Sequence, residues 1–153
     1  LGYWYNLEEA DKTIKNGWRY TGDIGHFENG YLKITDRKKD ILITPGGDNI
    51  SPVKIENELI NSEIIDQAIV YGDNKPYLVA LLVLNDEKKS LTDEEIKKEI
   101  EKLNKKLSKI EKIKKFFIIN EKFSIENGML TPTLKLKRYK IIQKYKNSFE
   151  KLY

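Results

Sequence analysis

The sequence contains no cysteine, a single histidine and a single methionine. Without a thiol, disulfides and thiolate metal sites are excluded. His26 follows Gly25 at the end of a presumed strand and reads as a satisfied or solvent-exposed ring, not as a base. Long apolar runs are missing as well: "AIV" and "LVALLVL" fall far short of the ~20 residues that a spanning helix requires. The opening "LGYWYNLEEADK" has neither a basic start nor an apolar core, so no signal peptide is expected. With no initiator Met, the chain reads as a piece of something longer that is soluble and intracellular. A dominant charge is absent too, since 28 Lys and Arg against 24 Asp and Glu leave a net charge of only +4. Most charges alternate in sign along expected helices, as on a solvated face, and do not point to nucleic acid. Only the stretch from Phe116 onward is biased, with seven lysines and one arginine against three glutamates. That segment suits anionic phosphate or an acidic surface.

What is present falls into two parts. At 153 residues there is room for one ordinary domain, or for a small domain and a piece of another. Residues 1 to about 36 carry short aromatic stretches and no helix of useful length. "GYLKIT", alternating behind Glu28-Asn29-Gly30, predicts a small antiparallel hairpin in which Ile24 and Phe27 lead into Tyr31, Leu32 and Ile34. From Ile50 the pattern changes. Ser51 is placed to cap a helix with Pro52 at its first position, and Val53, Ile55, Leu59 and Ile60 give it an apolar face to about Asn61. "QAIVYG" reads as a strand, "DNKP" as a turn, and "YLVALLVL" as a strand buried on both faces. Thr92 and Glu95 form a capping box for a helix with Ile96, Ile100, Leu103, Leu107 and Ile110 at helical spacing. "KKFFIIN" is a third strand. "RYKIIQKYKNSFEKLY" reads as one terminal helix with Tyr139, Ile142, Tyr145, Phe149 and Leu152 along one face. Strands and helices therefore intermix in a small α+β unit over about 50–153, with no internal repeats or low-complexity linkers.

The segment joining the parts, "ITDRKKDILITPGGDNISP", is the most informative. By itself "RKKD" reads as a solvated charge cluster. Gly46-Gly47 allows either a hairpin turn or close approach of the backbone to a ligand, since neither residue has a Cβ. "NGWRYTGDIG" adds a carboxylate, Asp23, just after a Thr-Gly corner, where it is either a turn cap or a ligand group.

The order of "GWRYTGDIG", then "ENGYLKITDRKKDILITPGGDNISPVKIE", then "LTPTLKLKR" resembles the C-terminal third of AMP-forming acyl-CoA synthetases. These belong to the adenylate-forming superfamily, with nonribosomal-peptide adenylation domains and firefly luciferase. The likeness runs from "GYWYN" to the final "FEKLY", and its wording is most similar to bacterial long-chain fatty-acid synthetases. It implies an α+β fold: a mobile C-terminal domain over 39–153, with a three-stranded sheet and flanking helices, preceded over 1–38 by a β-hairpin piece of the large AMP-binding domain. The implied activity joins a fatty acid to ATP as acyl-AMP, releases pyrophosphate, then passes the acyl group to CoA.

Site roles carry over from the resemblance residue by residue. Asp23 accepts hydrogen bonds from the ATP ribose hydroxyls, with Tyr20 and Thr21 shaping the corner; an ionised carboxylate suits two vicinal donors. Arg37 contacts the ribose and phosphate region with its fixed fork of donors. Lys39 is the hinge of the rotating domain, where a solvated side chain lets the backbone dihedrals change. Lys135 is the adenylation lysine, its ammonium stabilising charge that gathers as the carboxylate attacks the α-phosphate. Lys137 is the nearest rival for that role, and Arg138 also flanks it. Leu134 departs from the family's pattern, since many relatives have glycine there. After rotation, Gly46 and Gly47 line the path of pantetheine. Glu56 fits the "P-x-x-I-E" pattern and reads as positioning its helix, while Trp4 and Trp18 read as packing.

The family's phosphate loop, its Thr-Glu magnesium motif and its acyl pocket match no stretch here. Mg2+ ligands are thus expected in the N-terminal domain, and the chain alone is expected to bind ATP poorly and catalyse nothing. Its expected location is cytoplasmic, with peripheral membrane association open. Two rivals stand beside the CoA ligase. One passes the acyl group to an acyl-carrier protein, docked by basic residues around Lys38, Lys114 and Lys115; the other is a non-catalytic binding module.

Overall fold

The computed structural model describes residues 13–153, so the expectations for residues 1–12, Trp4 among them, lie outside the described residues. The chain divides between Ile41 and Leu42 into two compact units. The first is built from two hairpins. Strands β1 (Ile14–Lys15) and β2 (Trp18–Arg19) flank Asn16-Gly17, and β3 (Asp23–Glu28) and β4 (Tyr31–Arg37) flank Asn29-Gly30. Both residues of each pair have positive φ, between 52° and 83°. That is the geometry a two-residue turn needs to match the twist of its strands, and Asn-Gly adopts it at least cost. The Asn29-Gly30 turn is as expected; the pattern reading did not single out the one at Asn16-Gly17. A register shift between Ile24 and Gly25 brings Asp23 opposite Arg37. Within this unit large apolar side chains stay uncovered, among them Phe27 at 77% and Tyr31 at 80% exposure. A two-stranded ribbon with uncovered faces is marginal by itself.

The second unit begins with a short hairpin, β5 (Leu42–Ile43) with β6 (Asn49–Ile50), which runs into α1 (Pro52–Ile60). Ser51 caps this helix by accepting a hydrogen bond from Lys54 N at 3.1 Å, with Pro52 at its start. Strands β7 (Ile65–Tyr71), β8 (Leu78–Leu84) and β9 (Ile113–Ile119) form the sheet in that order, β7 antiparallel and β9 parallel to β8. The parallel return needs a crossover, and α2 (Asp93–Asn104), capped by the Thr92–Glu95 box, supplies it. The chain closes with α3 (Arg138–Lys144) and α4 (Lys146–Glu150).

All seven residues of β8 are buried, as its unbroken apolar run requires. Its alternate side chains feed two cores. Leu78, Ala80, Leu82 and Leu84 pack with Ile55 and Leu59 of α1 and Ile96, Ile100 and Leu103 of α2. Val79, Leu81 and Val83 pack with Phe123, Met129, Leu130, Ile141 and Phe149. Each fully buried aliphatic side chain contributes about 1.5–3 kcal/mol, so the central strand anchors both layers.

Two expectations are corrected. The second helix stops at Asn104, not near Ile110: the Asn104 side chain turns to bond Ile113, accepting from its N and donating to its O, both at 2.9 Å. Leu107 is still buried from the loop, whereas Ile110 is exposed. The terminal segment is two helices, broken at Tyr145, where φ is −102° and ψ 16°. Its buried face is carried by Ile141 and Phe149, and Tyr139, expected on that face, is 67% exposed.

Candidate functional site

Five of the residues singled out lie in the first unit. Thr21 Oγ1 accepts a hydrogen bond from Asp23 N at 3.1 Å, and Gly22, with φ +74°, turns its carbonyl to accept from Lys38 N at 2.8 Å. The threonine thus braces the corner, and the aspartate carboxylate faces Arg37, with Nε to Oδ1 at 3.2 Å. The Arg37 side chain is 69% exposed. An ion pair this open is worth about 0–1 kcal/mol, less than the roughly 1.5–3 kcal/mol of a hydrogen bond to a charged group. Opening it to receive a polar ligand therefore costs little. Tyr20, whose N donates to Thr13 O at 2.7 Å, leaves its ring exposed beside the corner. Lys39 is exposed in a turn closed by Asp40 N donating to Arg37 O at 2.9 Å.

The other three lie in the second unit, on two hairpin loops built alike. In the first, Gly47 N donates to Thr44 O, Thr44 N to Asp48 O (both 2.9 Å), and Asp48 N to Thr44 Oγ1 at 3.0 Å. In the second, Leu134 N donates to Thr131 O at 2.9 Å, Thr131 N to Lys135 O at 2.8 Å, and Lys135 N to Thr131 Oγ1 at 3.0 Å. Thr-Pro-Gly-Gly-Asp and Thr-Pro-Thr-Leu-Lys therefore close the same ring of three bonds. In each, the proline has the fixed φ that the second turn position favours, and the fourth residue takes the left-handed conformation, Gly47 at φ +87° and Leu134 at +59°. A Cβ on Gly47 would meet nothing within 4 Å, so only its backbone demands glycine.

Each loop is fixed to the scaffold. Ile43 N donates to Asp73 Oδ1 at 2.9 Å and Asn74 N to Ile43 O at 2.8 Å, which ties the Gly46-Gly47 hairpin to the β7–β8 turn. Leu130 bridges Leu136, and Lys137 N donates to Met129 O at 2.8 Å, which roots the Lys135 hairpin in the second core. Lys135 emerges exposed, and its ammonium makes no ion pair or hydrogen bond among the described residues. Lys137 is half-buried and its carbonyl begins α3.

In the sequence Arg138 stands out only as a neighbour of Lys135. It forms a bidentate pair with Glu56: Nη1 to Oε1 at 2.8 Å and Nη2 to Oε2 at 2.6 Å, with the side chains 12% and 7% exposed. Arg138 Nη1 also donates to Val70 O at 3.2 Å, and Val70 N donates to Glu56 Oε1 at 2.7 Å. The signal was present in the sequence. Glu56 shares a helical face with Pro52, Ile55 and Leu59, all buried, and a carboxylate on an apolar face requires a buried partner.

Of the basic residues considered for docking a carrier, Lys115 is committed internally: its Nζ donates to Leu152 O at 2.6 Å and lies 5.6 Å from the Tyr77 ring centre. Among the described residues no group of three or more His, Asp or Glu is placed to hold a metal, and no helix is long and apolar enough to cross a membrane.

The family described as AMP-binding enzyme C-terminal domain matches residues 39–153. A long-chain-fatty-acid–CoA ligase of Mycobacterium tuberculosis is 34% identical over 174 residues, covering 99% of this chain and 29% of the relative. A chloroplastic long-chain-fatty-acid–acyl-carrier-protein ligase of Arabidopsis thaliana is 29% identical over 171 residues, 99% of this chain and 24% of the relative. The adenylation domain of a carboxylic acid reductase from Segniliparus rugosus, solved with AMP and a co-purified carboxylic acid, superposes with TM-score 0.89. It is 26% identical and matches 99% of this chain and 26% of its own. The chain thus spans under a third of the length of the relatives it matches.

Proposed function

The chain belongs to the AMP-binding enzyme C-terminal domain family, and from that premise we propose that it is the closing part of an AMP-forming long-chain fatty-acid–CoA ligase. The observation that carries this reading is Lys135, presented unpaired among the described residues at the end of a braced hairpin, in a chain 34% identical to a long-chain-fatty-acid–CoA ligase over almost its whole length.

In this reading residues 1–38 end the large AMP-binding domain, and the apolar side chains left uncovered on β3 and β4 pack against the rest of it. Residues 39–153 form the mobile domain and turn about Lys39. Asp23 accepts from the ribose hydroxyls of ATP. Arg37, released from its open pair with Asp23, reaches the ribose and phosphate region. Tyr20 and Thr21 shape the corner. Lys135 places its ammonium where the acid's carboxylate meets the α-phosphate, offsetting charge that grows as pyrophosphate leaves. Lys137, half-buried and engaged in starting a helix, is less suited to that task. Rotation then brings Gly46 and Gly47 to the pantetheine arm of CoA, where the absent side chains leave it room. In the same reading the magnesium ligands are carboxylates or hydroxyls of the large N-terminal domain. Location in the cytoplasm, with contact to a membrane where fatty acids are met, is part of the same proposal.

The carrier-protein reading keeps one specific support, the acyl-carrier-protein ligase among the relatives. Its expected basic patch is weakened by the internal engagement of Lys115.

The test is pyrophosphate release by the full-length protein with ATP, magnesium and palmitate, with and without CoA. The reading predicts acid-dependent release that turns over only when CoA is present. Release that only an acyl-carrier protein relieves would favour the rival acceptor, and no release with any fatty acid would overturn the ligase reading.

A further inference from the structure

The two loops expected to serve successive half-reactions are joined through one helix. The Gly46-Gly47 hairpin leads through β6 directly into Ser51, which caps α1. Four residues into α1, Glu56 grips Arg138, which follows Lys135 by three residues. The Glu56 carboxylate also accepts from Val70 N, and the guanidinium donates to Val70 O, so both partners are locked to one residue of β7. Arg138 has no freedom to slide along the helix: two parallel bonds fix the angle as well as the distance. Removing either charge would leave the other desolvated.

We propose that Glu56 and Arg138 are a positioning pair that holds the Lys135 hairpin in fixed register with the Gly46-Gly47 hairpin, so that both loops are carried as one rigid piece. The inference rests on the role given above to Lys135. Neither side chain touches substrate; the pair acts through the lysine. A strut of this kind matters because misplacement by about 1 Å at a reacting centre costs on the order of 100-fold in rate.

The experiment uses the full-length protein with Glu56→Gln, Arg138→Lys and Arg138→Met. Glu56→Gln retains shape without charge, and Arg138→Lys retains charge without the fork. The first readout is native-state hydrogen exchange in peptides covering 129–137 and 78–84. The amides of Leu134, Lys135 and Lys137 are held by the hairpin bonds, whereas those of 78–84 report the core. Glu56→Gln and Arg138→Met are expected to accelerate exchange in 129–137 by about tenfold or more, with 78–84 unchanged and Arg138→Lys between them and wild type. The second readout is pyrophosphate release: kcat is expected to fall about tenfold or more while KM for ATP stays within about threefold, since the nucleotide is held elsewhere.

Unchanged exchange in 129–137 would overturn the proposal. So would equal acceleration of 78–84, which would make the pair a general stabiliser, or a raised KM with kcat intact. Arg138→Lys keeps the test open if the other variants fail to fold. A wild-type protein that releases no pyrophosphate would sink the ligase reading, while the exchange data would still decide the strut.

Discussion

Adjacent glycines in one loop are expected to respond to the same substitution with opposite sign. Gly46 does not take a positive φ, and a Cβ there would lie 3.5 Å from Asp48 Oδ2 and 3.7 Å from Thr44 Oγ1, both ordinary contacts. Gly46→Ala should therefore act mainly through the unfolded chain and stabilise by about 0.4–1 kcal/mol. Gly47 has φ +87° and open space around its Cβ position, so Gly47→Ala meets no clash but bears the left-handed cost of roughly 1–2 kcal/mol. Less the same entropy gain, the net is a destabilisation of about 1 kcal/mol. The Lys135 hairpin supplies the mirror experiment on the same backbone. Leu134 already bears that cost at φ +59° and is 69% exposed, so little packing is lost on replacing it. Leu134→Gly should stabilise by up to about 1 kcal/mol, with Leu134→Asn, which tolerates this conformation, giving a few tenths. Urea unfolding followed by circular dichroism, with slopes unchanged between variants, measures all four. Equal losses for Gly46→Ala and Gly47→Ala, or a loss for Leu134→Gly above 1 kcal/mol, would refute the claim that backbone conformation alone sets these costs.

Three further outcomes are expected. Burial alone would raise the Glu111 carboxyl, but hydrogen bonds from Lys54 and Ser108 outweigh it and hold the group below its ordinary 4.5. The unfolded chain thus takes up the proton first, so this contribution is full above about pH 4.5 and is lost as pH falls through the lowered value. Glu111→Gln should flatten the acid limb of a Tm-against-pH curve, and an unchanged limb would exclude Glu111 as a source. Burial, with the nearby Tyr71, raises the Tyr153 hydroxyl above its ordinary 10.0, so the stability it confers is present below pH 10.0 and lost as pH rises past it. Tyr153→Phe, which deletes bonds to Tyr71 O and Tyr77 O at 3.3 and 3.1 Å, should cost about 1 kcal/mol at neutral pH and remove that alkaline loss. In the full-length protein Asp23→Asn should raise KM for ATP about tenfold, the loss of one charge-assisted bond, and an unchanged KM would remove Asp23 from the nucleotide site.

Much of the fold was legible because local signals agreed with the burial pattern. The Asn29-Gly30 turn, the Ser51-Pro52 start, the Thr92–Glu95 box and the apolar run of β8 each name their element from a few residues. The end of α1 near Asn61 was legible, but that of α2 was not, because a partner beyond the helix decides it. Asn104 turns from helix to strand to satisfy Ile113, nine residues on, and no periodicity reports that exchange. Among the candidate residues, the motif order singles out Asp23, Arg37, Gly46, Gly47 and Lys135, but spacing alone does not connect Thr44 with Thr131, whose loops close the same bonds. The pairing of Arg138 with Glu56 was not legible because the partners lie 82 residues apart, although a glutamate on the buried face of α1 marked the need for one.

The central claim is that Lys135 serves the first half-reaction and not the second. Lys135→Ala in the full-length protein, beside Lys137→Ala, separates the two steps: acyl-adenylate formation from ATP and palmitate, and acyl transfer to CoA from acyl-adenylate supplied ready-made. The account predicts that Lys135→Ala slows the first by roughly 10²- to 10³-fold and leaves the second within a few-fold, with Lys137→Ala near wild type in both. Equal losses in both steps, or a larger first-step loss from Lys137→Ala, would contradict it.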